Sequence, residues 1–504
     1  MNRAQMKTIA EDPRVSTGIE GLDDVLGGGF PEGHLFLVEG VPGSGKTTLG
    51  LQFLMEGARL GESVLYVTLS ESRDEIEKVA RSHGWSLEGI SVYEYAATDG
   101  NLRPEDQYSA FHPSDIEFQD TTQTILRTVD DTQPRRIVID SLSEIRLLAG
   151  DSLRYRRQVL ALKHYFTSRN CTVLLLDDRT SGRNDQQLQS IAHGVLSLEK
   201  VMREFGRTRR RLEVEKMRGS TYRQGYHDYN IETGGMVVFP RLVPAEHEGT
   251  FTDGYIESVS PGLDELWGRG IERGTSTLFL GPAGSGKSSL ALSYAVAAAR
   301  RGEVAAVFLF EEWTRLACKR AASLDIDPSP YVDRGLICFE QINPAELSPG
   351  EFVQHVRDTV EKRGATVVVI DSLNGLLNAM PEEQYIAMQM RELLAYLNHR
   401  GVASILVLAQ AGLVGSNMTS PIDLSYLADN VLLLRYFEMH GEIRKALSVV
   451  KKRGGVHERS IRELALGKGK IEVGQSLTDF RGLLTGTPVY LGEEPMLGGA
   501  RDAV

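Results

Sequence analysis

Gly40-Val-Pro-Gly43-Ser44-Gly45-Lys46-Thr47 decides how this chain is read, because the pattern returns 241 residues later as Gly281-Pro-Ala-Gly284-Ser285-Gly286-Lys287-Ser288. Both copies fit G-x-x-x-x-G-K-[ST], the phosphate-binding loop. Glycines let backbone N–H groups turn inward on phosphate oxygens, a helix N-terminus follows, and the lysine neutralises the β/γ oxygens. The hydroxyl of Thr47 or Ser288 is suited to a Mg2+ shell, and Thr48 and Ser289, where the loop enters its helix, are further candidate ATP-binding residues. Each copy lies between an apolar strand-like run (Leu35–Glu39; Thr277–Leu280) and an apolar-periodic helix, which is the context the motif requires. Two glycine-rich turns would explain neither the lysine nor the repetition.

A chain of 504 residues exceeds what one hydrophobic core usually serves, so two domains of similar size are expected. With 41% apolar and 25% charged residues the composition is that of a globular protein. No apolar run approaches the ~18 residues of a membrane span, and the first residues show no signal-peptide core. Cys171, Cys318 and Cys338 are far apart, which reads as free thiols in a reducing cytosol rather than as a disulfide frame or metal site. The net charge of −12 disfavours a protein that lives on nucleic acid.

The repeat is wider than the loop. Thr17 to Gly29 approaches the first copy as Ser260 to Gly270 approaches the second, with Asp23 and Asp264 at the same offset, so a whole domain is duplicated. Ser63–Leu69 reads as a strand ending at Ser70-Glu71, and Ala305–Phe310 as one ending at Glu311-Glu312. A carboxylate there could polarise an attacking water or hydroxyl, or be only a solvated strand end. Thr98–Asp120, polar and without periodicity, reads as a plain surface connection. Arg136–Ile139 and Val367–Ile370 run apolar into Asp140-Ser141 and Asp371-Ser372, a Walker-B pattern whose aspartate serves the magnesium shell. Thr172–Leu176 and Val402–Leu408 are further buried strands. Strands alternating with helices predict an α/β fold with mainly parallel sheets covered on both faces. Gln410, at a strand end, is either a γ-phosphate sensor or a surface amide. The run Arg207-Thr-Arg-Arg-Arg211 reads better as a solvated hairpin face than as a nucleic-acid patch.

These features together resemble the KaiC family of tandem RecA-like ATPases, from about Val15 to Pro488. Both phosphate loops, both Asp-Ser strand ends, Glu311-Glu312, the Lys-x-Arg-Gly segments at Lys216 and Lys451, and Arg435–Glu442 carry the resemblance. It implies two tandem RecA-like P-loop NTPase domains over residues 17–242 and 257–488, with tails 1–16 and 489–504 and a linker at 243–256. It implies ATP and Mg2+ as cofactors, with Thr47, Asp140, Ser288 and Asp371 at the metal. A cytoplasmic homohexamer with nucleotide between subunits is implied too, as is a KaiB-like or signalling protein partner. Lys216, Arg218, Lys451, Arg453 and His457 would reach the neighbour's nucleotide. The first ring would hydrolyse ATP slowly; the second would phosphorylate a hydroxyl and remove the phosphate again. Departures are specific. Ser70 replaces the first of the paired glutamates, leaving Glu71 as the base. Tyr222 stands where the second half has His457. The adjacent phosphoacceptors fall on Ser425-Tyr426, and an upstream one on Ser420, so Ser425 is the expected acceptor. The C-terminal tail lacks the family's activator-binding pattern, which places the chain outside the oscillator set.

Two other classes stand beside an ATP-hydrolysing ring protein with serine/threonine autokinase activity. One is a RecA-like DNA-dependent ATPase, disfavoured by the acidic balance and the lack of a basic–aromatic track. The other is a nucleotide-gated scaffold without turnover, disfavoured because lysine, hydroxyl, aspartate and glutamate are all retained in both halves.

Overall fold

The computed structural model describes residues 13–95, 113–179, 186–202, 206–247, 249, 251–379, 386–410, 412, 426–467, 469–484 and 488–491. It divides into two units, Met1–Arg241 and Leu242–Val504. Pro244–His247 forms a 3-10 turn in the second unit, and Leu242 is buried in that unit's core.

The first unit is built on one nine-stranded sheet. Its strands in chain order are β1 (Leu35–Gly40), β2 (Val64–Thr68), β3 (Ser91–Glu94), β4 (Arg136–Asp140), β5 (Thr172–Asp178), β6 (Gly194–Val201), β7 (Arg209–Met217), β8 (His227–Glu232) and β9 (Gly235–Phe239). Across the sheet they run β3-β2-β4-β5-β1-β6-β7-β8-β9. The first six are parallel, and β7 to β9 complete the edge as antiparallel hairpins. The main helices are α1 (Lys46–Arg59), α2 (Pro113–Thr132), α3 (Ser152–Ser168) and the short α4 (Gln186–Ile191).

The second unit repeats this order strand for strand. β10 (Ser276–Pro282), β11 (Val304–Leu309), β12 (Ile337–Gln341), β13 (Ala365–Asp371), β14 (Ala403–Gln410), β15 (Asn430–Met439), β16 (Glu442–Lys452), β17 (Arg462–Gly467) and β18 (Lys470–Ser476) are arranged β12-β11-β13-β14-β10-β15-β16-β17-β18. Its helices include α5 (Lys287–Arg300), α6 (Thr314–Ala322) and α7 (Ile386–His399).

Alternation along the central strand explains the layers. In β1, Phe36 and Val38 join a core that includes Leu49 and Phe53 of α1, while Leu35 and Leu37 join a second core with Val159 and Phe166 of α3. Phe279 of β10 packs towards Leu290 and Tyr294 of α5, and Leu278 towards Leu393 and Leu397 of α7. A strand buried on both faces needs apolar residues at every position, and hence reads as a continuous run. Each large side chain so buried contributes about 1.5–3 kcal/mol.

One expectation fails. Residues 113–120, read as part of a plain connection, open the twenty-residue helix α2. Pro113 stands in its first turn, where a missing N–H costs nothing. The apolar signal lies further on, in Ile125 and Val129, one turn apart and both buried. Residues 96–112 lie outside the described residues.

Candidate nucleotide sites

Both phosphate loops leave the carboxyl end of the central strand, where open α/β sheets bind ligands. Gly45 and Gly286 adopt φ of +101° and +109°. A β-carbon on Gly45 would lie 2.5 Å from Ile231 Cδ1, and one on Gly286 would lie 2.4 Å from Leu466 Cδ1. Only glycine therefore allows the loop to turn under β8 or β17. Gly43 and Gly284, both at φ +74°, complete the turn. Among the described residues the buried Ser44 and Ser285 hydroxyls have no partner.

Lys46 donates to the carbonyls of Gly40 (2.9 Å) and Val41 (3.3 Å), and Lys287 to those of Gly281 (2.9 Å) and Pro282 (2.7 Å). Each ammonium is thus folded back over its own loop. Burial pushes Lys287 down to about 8, opposed by the carboxylates of Asp371 and Glu311. Lys46 instead has an acid partner, Asp178, at 2.6 Å.

The hydroxyl and aspartate expected at the metal lie within hydrogen-bond distance of each other in both halves. Thr47 Oγ1 donates to Asp140 Oδ2 at 2.8 Å, and the Ser288 hydroxyl bonds Asp371. Burial raises both aspartates from their ordinary value. A buried carboxylate beside a hydroxyl and a loop lysine suits Mg2+, which takes one or two protein oxygens and fills its shell with water and phosphate. Both sites fit Mg·ATP; bound there, the metal would neutralise charge on the β- and γ-phosphates. The residues following Thr47 and Ser288 differ between the halves. Thr48 is simply buried in α1, whereas the Ser289 hydroxyl accepts from Arg320 at 2.7 Å.

The strand-end glutamates are in three different settings. Glu71 is half-buried; burial, then Asp140, Glu75 and Asp178, raise it, and its buried Oε2 has no partner among the described residues. Glu312, its counterpart, is gripped by Arg320 at 2.6 Å and 3.1 Å. Glu311 accepts from Ser372 at 3.1 Å. Among the described residues, Glu71 and Glu311 are therefore the strand-end glutamates not committed to an arginine. Gln410 accepts from Arg435. Ser425 and Ser420 lie outside the described residues, while Tyr426 is exposed.

The cations of the Lys-x-Arg segments do not approach their own loops. Lys216 is paired with Val195, which is level with Leu37, three residues short of Gly40. Lys451 is paired with Val431, which is level with Leu278. At about 3.3 Å per residue, the loop starts about 10 Å further along the sheet. Their side chains extend away from it. Lys216 donates to the carbonyls of Gln189 and Ala192, Arg218 to that of Ser190 at 2.7 Å, and Lys451 to that of Ala428 at 2.6 Å. Arg453 pairs with Asp429 at 2.8 Å. His457 follows β16 in the connection to β17, whereas Tyr222 packs against the core of its unit. In the arginine run, Arg211 pairs with Glu199 and Arg207 with Glu232, while Arg209 is buried.

The family model described as "ATPase: KaiC" matches residues 15–243 and again 256–478. The chain belongs to the KaiC ATPase family. It is 27% identical over 491 residues to the circadian clock oscillator protein KaiC of Thermostichus vulcanus, covering 96% of this chain and 93% of that one. It is 26% identical over 491 residues to the circadian clock protein KaiC3 of Synechocystis, with 95% of each covered. It is 27% identical over 488 residues to the protein KaiC2 of the same strain, covering 94% of this chain and 83% of that one. This is a divergent KaiC-like chain with two tandem RecA-like domains.

Sequence reasoning missed several groups around the sites. Tyr66 of β2, fully buried, donates to Asp140 Oδ2 at 2.7 Å. Its place in an apolar strand gave no sign of a polar task. Asp178 does end a strand, as Asp140 does, and that signal was available. Arg320 gave none, since only the approach of α6 to the phosphate loop brings it in.

Proposed function

We propose that this KaiC-like chain assembles into a homohexameric ring around Mg·ATP, hydrolyses ATP in its first half, and transfers phosphate to Ser425 in its second. The observation that carries this reading is the position of Lys216, Arg218, Lys451 and Arg453 at the sheet end opposite their own phosphate loops. Cations that cannot serve their own nucleotide suit one bound on a neighbouring copy, where they stabilise charge on the transferring phosphoryl group.

The residues then divide the work. Main-chain donors of the loops with Lys46 or Lys287 hold the triphosphate; Thr47 with Asp140, or Ser288 with Asp371, hold the metal. Glu71 takes the proton of an attacking water. Glu311, with Ser372 bonded to it, takes that of the Ser425 hydroxyl. A KaiB-like or signalling protein is the partner class that family membership favours. The ion pairs within the arginine run weigh against a DNA-dependent motor.

Light scattering with and without ATP, combined with γ-labelled ATP and phosphopeptide mapping, tests all parts. ATP-dependent assembly, turnover lost in Glu71→Gln, and label on Ser425 lost in Glu311→Gln are expected. A loaded protein that stays monomeric at micromolar concentration would falsify the shared site. Label on Tyr426 alone would defeat the phosphoacceptor assignment and leave the ATPase intact.

A further inference from the structure

Three cations gather at the far sheet end of the first half, and one of them belongs to no motif. Lys163, on α3, donates to the Ile191 carbonyl at 2.8 Å. Lys216 takes the carbonyls of Gln189 and Ala192, and Arg218 that of Ser190. Three cations thus converge on four consecutive carbonyls at the end of α4. Among the described residues none of the three is paired with a carboxylate. Burial and then Arg218 lower Lys163; burial, then Arg218 and Lys163, lower Lys216. Like charges held together, offset among the described residues by carbonyl dipoles alone, suit an arriving anion.

The second half shows what a compensated version looks like. His193 and Asp429 occupy the same place, since their N–H groups bond the carbonyls of Leu35 and Ser276, which are 241 residues apart. Asp429 accepts from Arg453 and also from the Ser276 N–H (3.0 Å) and hydroxyl (2.9 Å) and from Asn398 (3.1 Å). In its place His193 stacks on His34 with ring centroids 3.8 Å apart, and burial lowers it to about 4, so it brings no charge at neutral pH. Lys163 also has an apolar counterpart. β1–β5 and β10–β14 register Leu35 with Val173 and Ser276 with Ser404. Val173 and Ser404 are 231 residues apart, and that offset relates Ser168, the end of α3, to His399, the end of α7, and sets Lys163 against buried Leu394.

We infer that Lys163 is a third cation which the first half, with Lys216 and Arg218, offers to the triphosphate bound on the neighbouring copy. This rests on the shared-site reading above. The first-half interface is then held by a stronger phosphate grip than the second, whose Arg453 is shared with Asp429.

The test compares Lys163→Leu, Lys163→Gln and Lys163→Arg by mass photometry across an ATP titration with Mg2+. Gln keeps a donor for the Ile191 carbonyl but loses the charge; Arg keeps both. Half-assembly should need at least tenfold more ATP in the Leu and Gln variants and stay near wild type in the Arg variant. Nucleotide binding at low protein concentration and the nucleotide-free melting temperature should hardly change in the Gln variant. A Gln variant that assembles like wild type overturns the inference, because a helix cap alone would then suffice. A wild-type protein that does not assemble with ATP defeats the shared-site reading, and this inference with it.

Discussion

The Lys46 ammonium lies 2.6 Å from the Asp178 carboxylate, whereas the residue level with the second loop's Gly281 is Ala409. Asp178 is level with Gly40. Two loops of nearly identical sequence therefore start from different electrostatic states. In the first, a triphosphate must draw the lysine away from an acid that then repels it. In the second, the lysine is buried with its own carbonyls and carries a lowered proton affinity.

Asp178→Asn should therefore tighten ATP binding in the first half by roughly tenfold, the equivalent of one charge-assisted hydrogen bond at a partly exposed site. Titration of a fluorescent ATP analogue in a Lys287→Ala background isolates that half. Weaker binding in Asp178→Asn would mean that the acid serves the bound state rather than opposing it.

The second half should take up protons when it binds ATP. With Lys287 at about 8 in the nucleotide-free fold, about half of these lysines are neutral at pH 8, and the arriving phosphates favour the charged form. Uptake should approach about half a proton per site at pH 8 and vanish near pH 6.5. Calorimetry of Lys46→Ala in buffers of different ionisation enthalpy measures it. Binding heats at pH 8 that do not depend on the buffer would contradict the assignment.

Tyr66→Phe should act on the first half alone, because the counterpart position in β11 is Val307. It removes one of the two donors on Asp140 Oδ2 while Thr47 remains. A buried hydrogen bond to a carboxylate contributes about 1.5–3 kcal/mol, so the variant should unfold at lower denaturant concentration. With the carboxylate less fixed, half-maximal hydrolysis should need several-fold more Mg2+. An unchanged Mg2+ curve would reduce Tyr66 to a structural role.

The duplicated domain was legible because its signals are local. Loop glycines, a lysine and a hydroxyl return together 241 residues on, and the strand-end Asp140 returns as Asp371, 231 residues on. The antiparallel edge was less so, since β7 and β8 mix buried with part-exposed positions and their pairing depends on register. What escaped was placed by tertiary approach. Arg320 is six residues into α6 with Val79 as its counterpart, and only packing reveals that it occupies Glu312 and Ser289. Lys163 reads as one more charge on a helix until the end of α4 meets it.

Hydrolysis in the first half should fail on acidification earlier than an ordinary glutamate would allow. Burial raises Glu71, and Asp140, Glu75 and Asp178 add to the effect. A base works only when ionised, so activity is present above the raised value and lost as pH falls through it. Stability runs the other way. A carboxyl whose folded-state value lies above its unfolded one favours the fold when neutral, so this group's contribution improves as pH drops through the folded value and levels off below the unfolded one. Asp178→Asn removes one of the raising charges and should move the acid limb of the rate profile to lower pH. Phosphate release between pH 4.5 and 8, in a Lys287→Ala background, reads the limb directly. An acid limb that stays in place in Asp178→Asn, or survives in Glu71→Gln, would show that another group sets it.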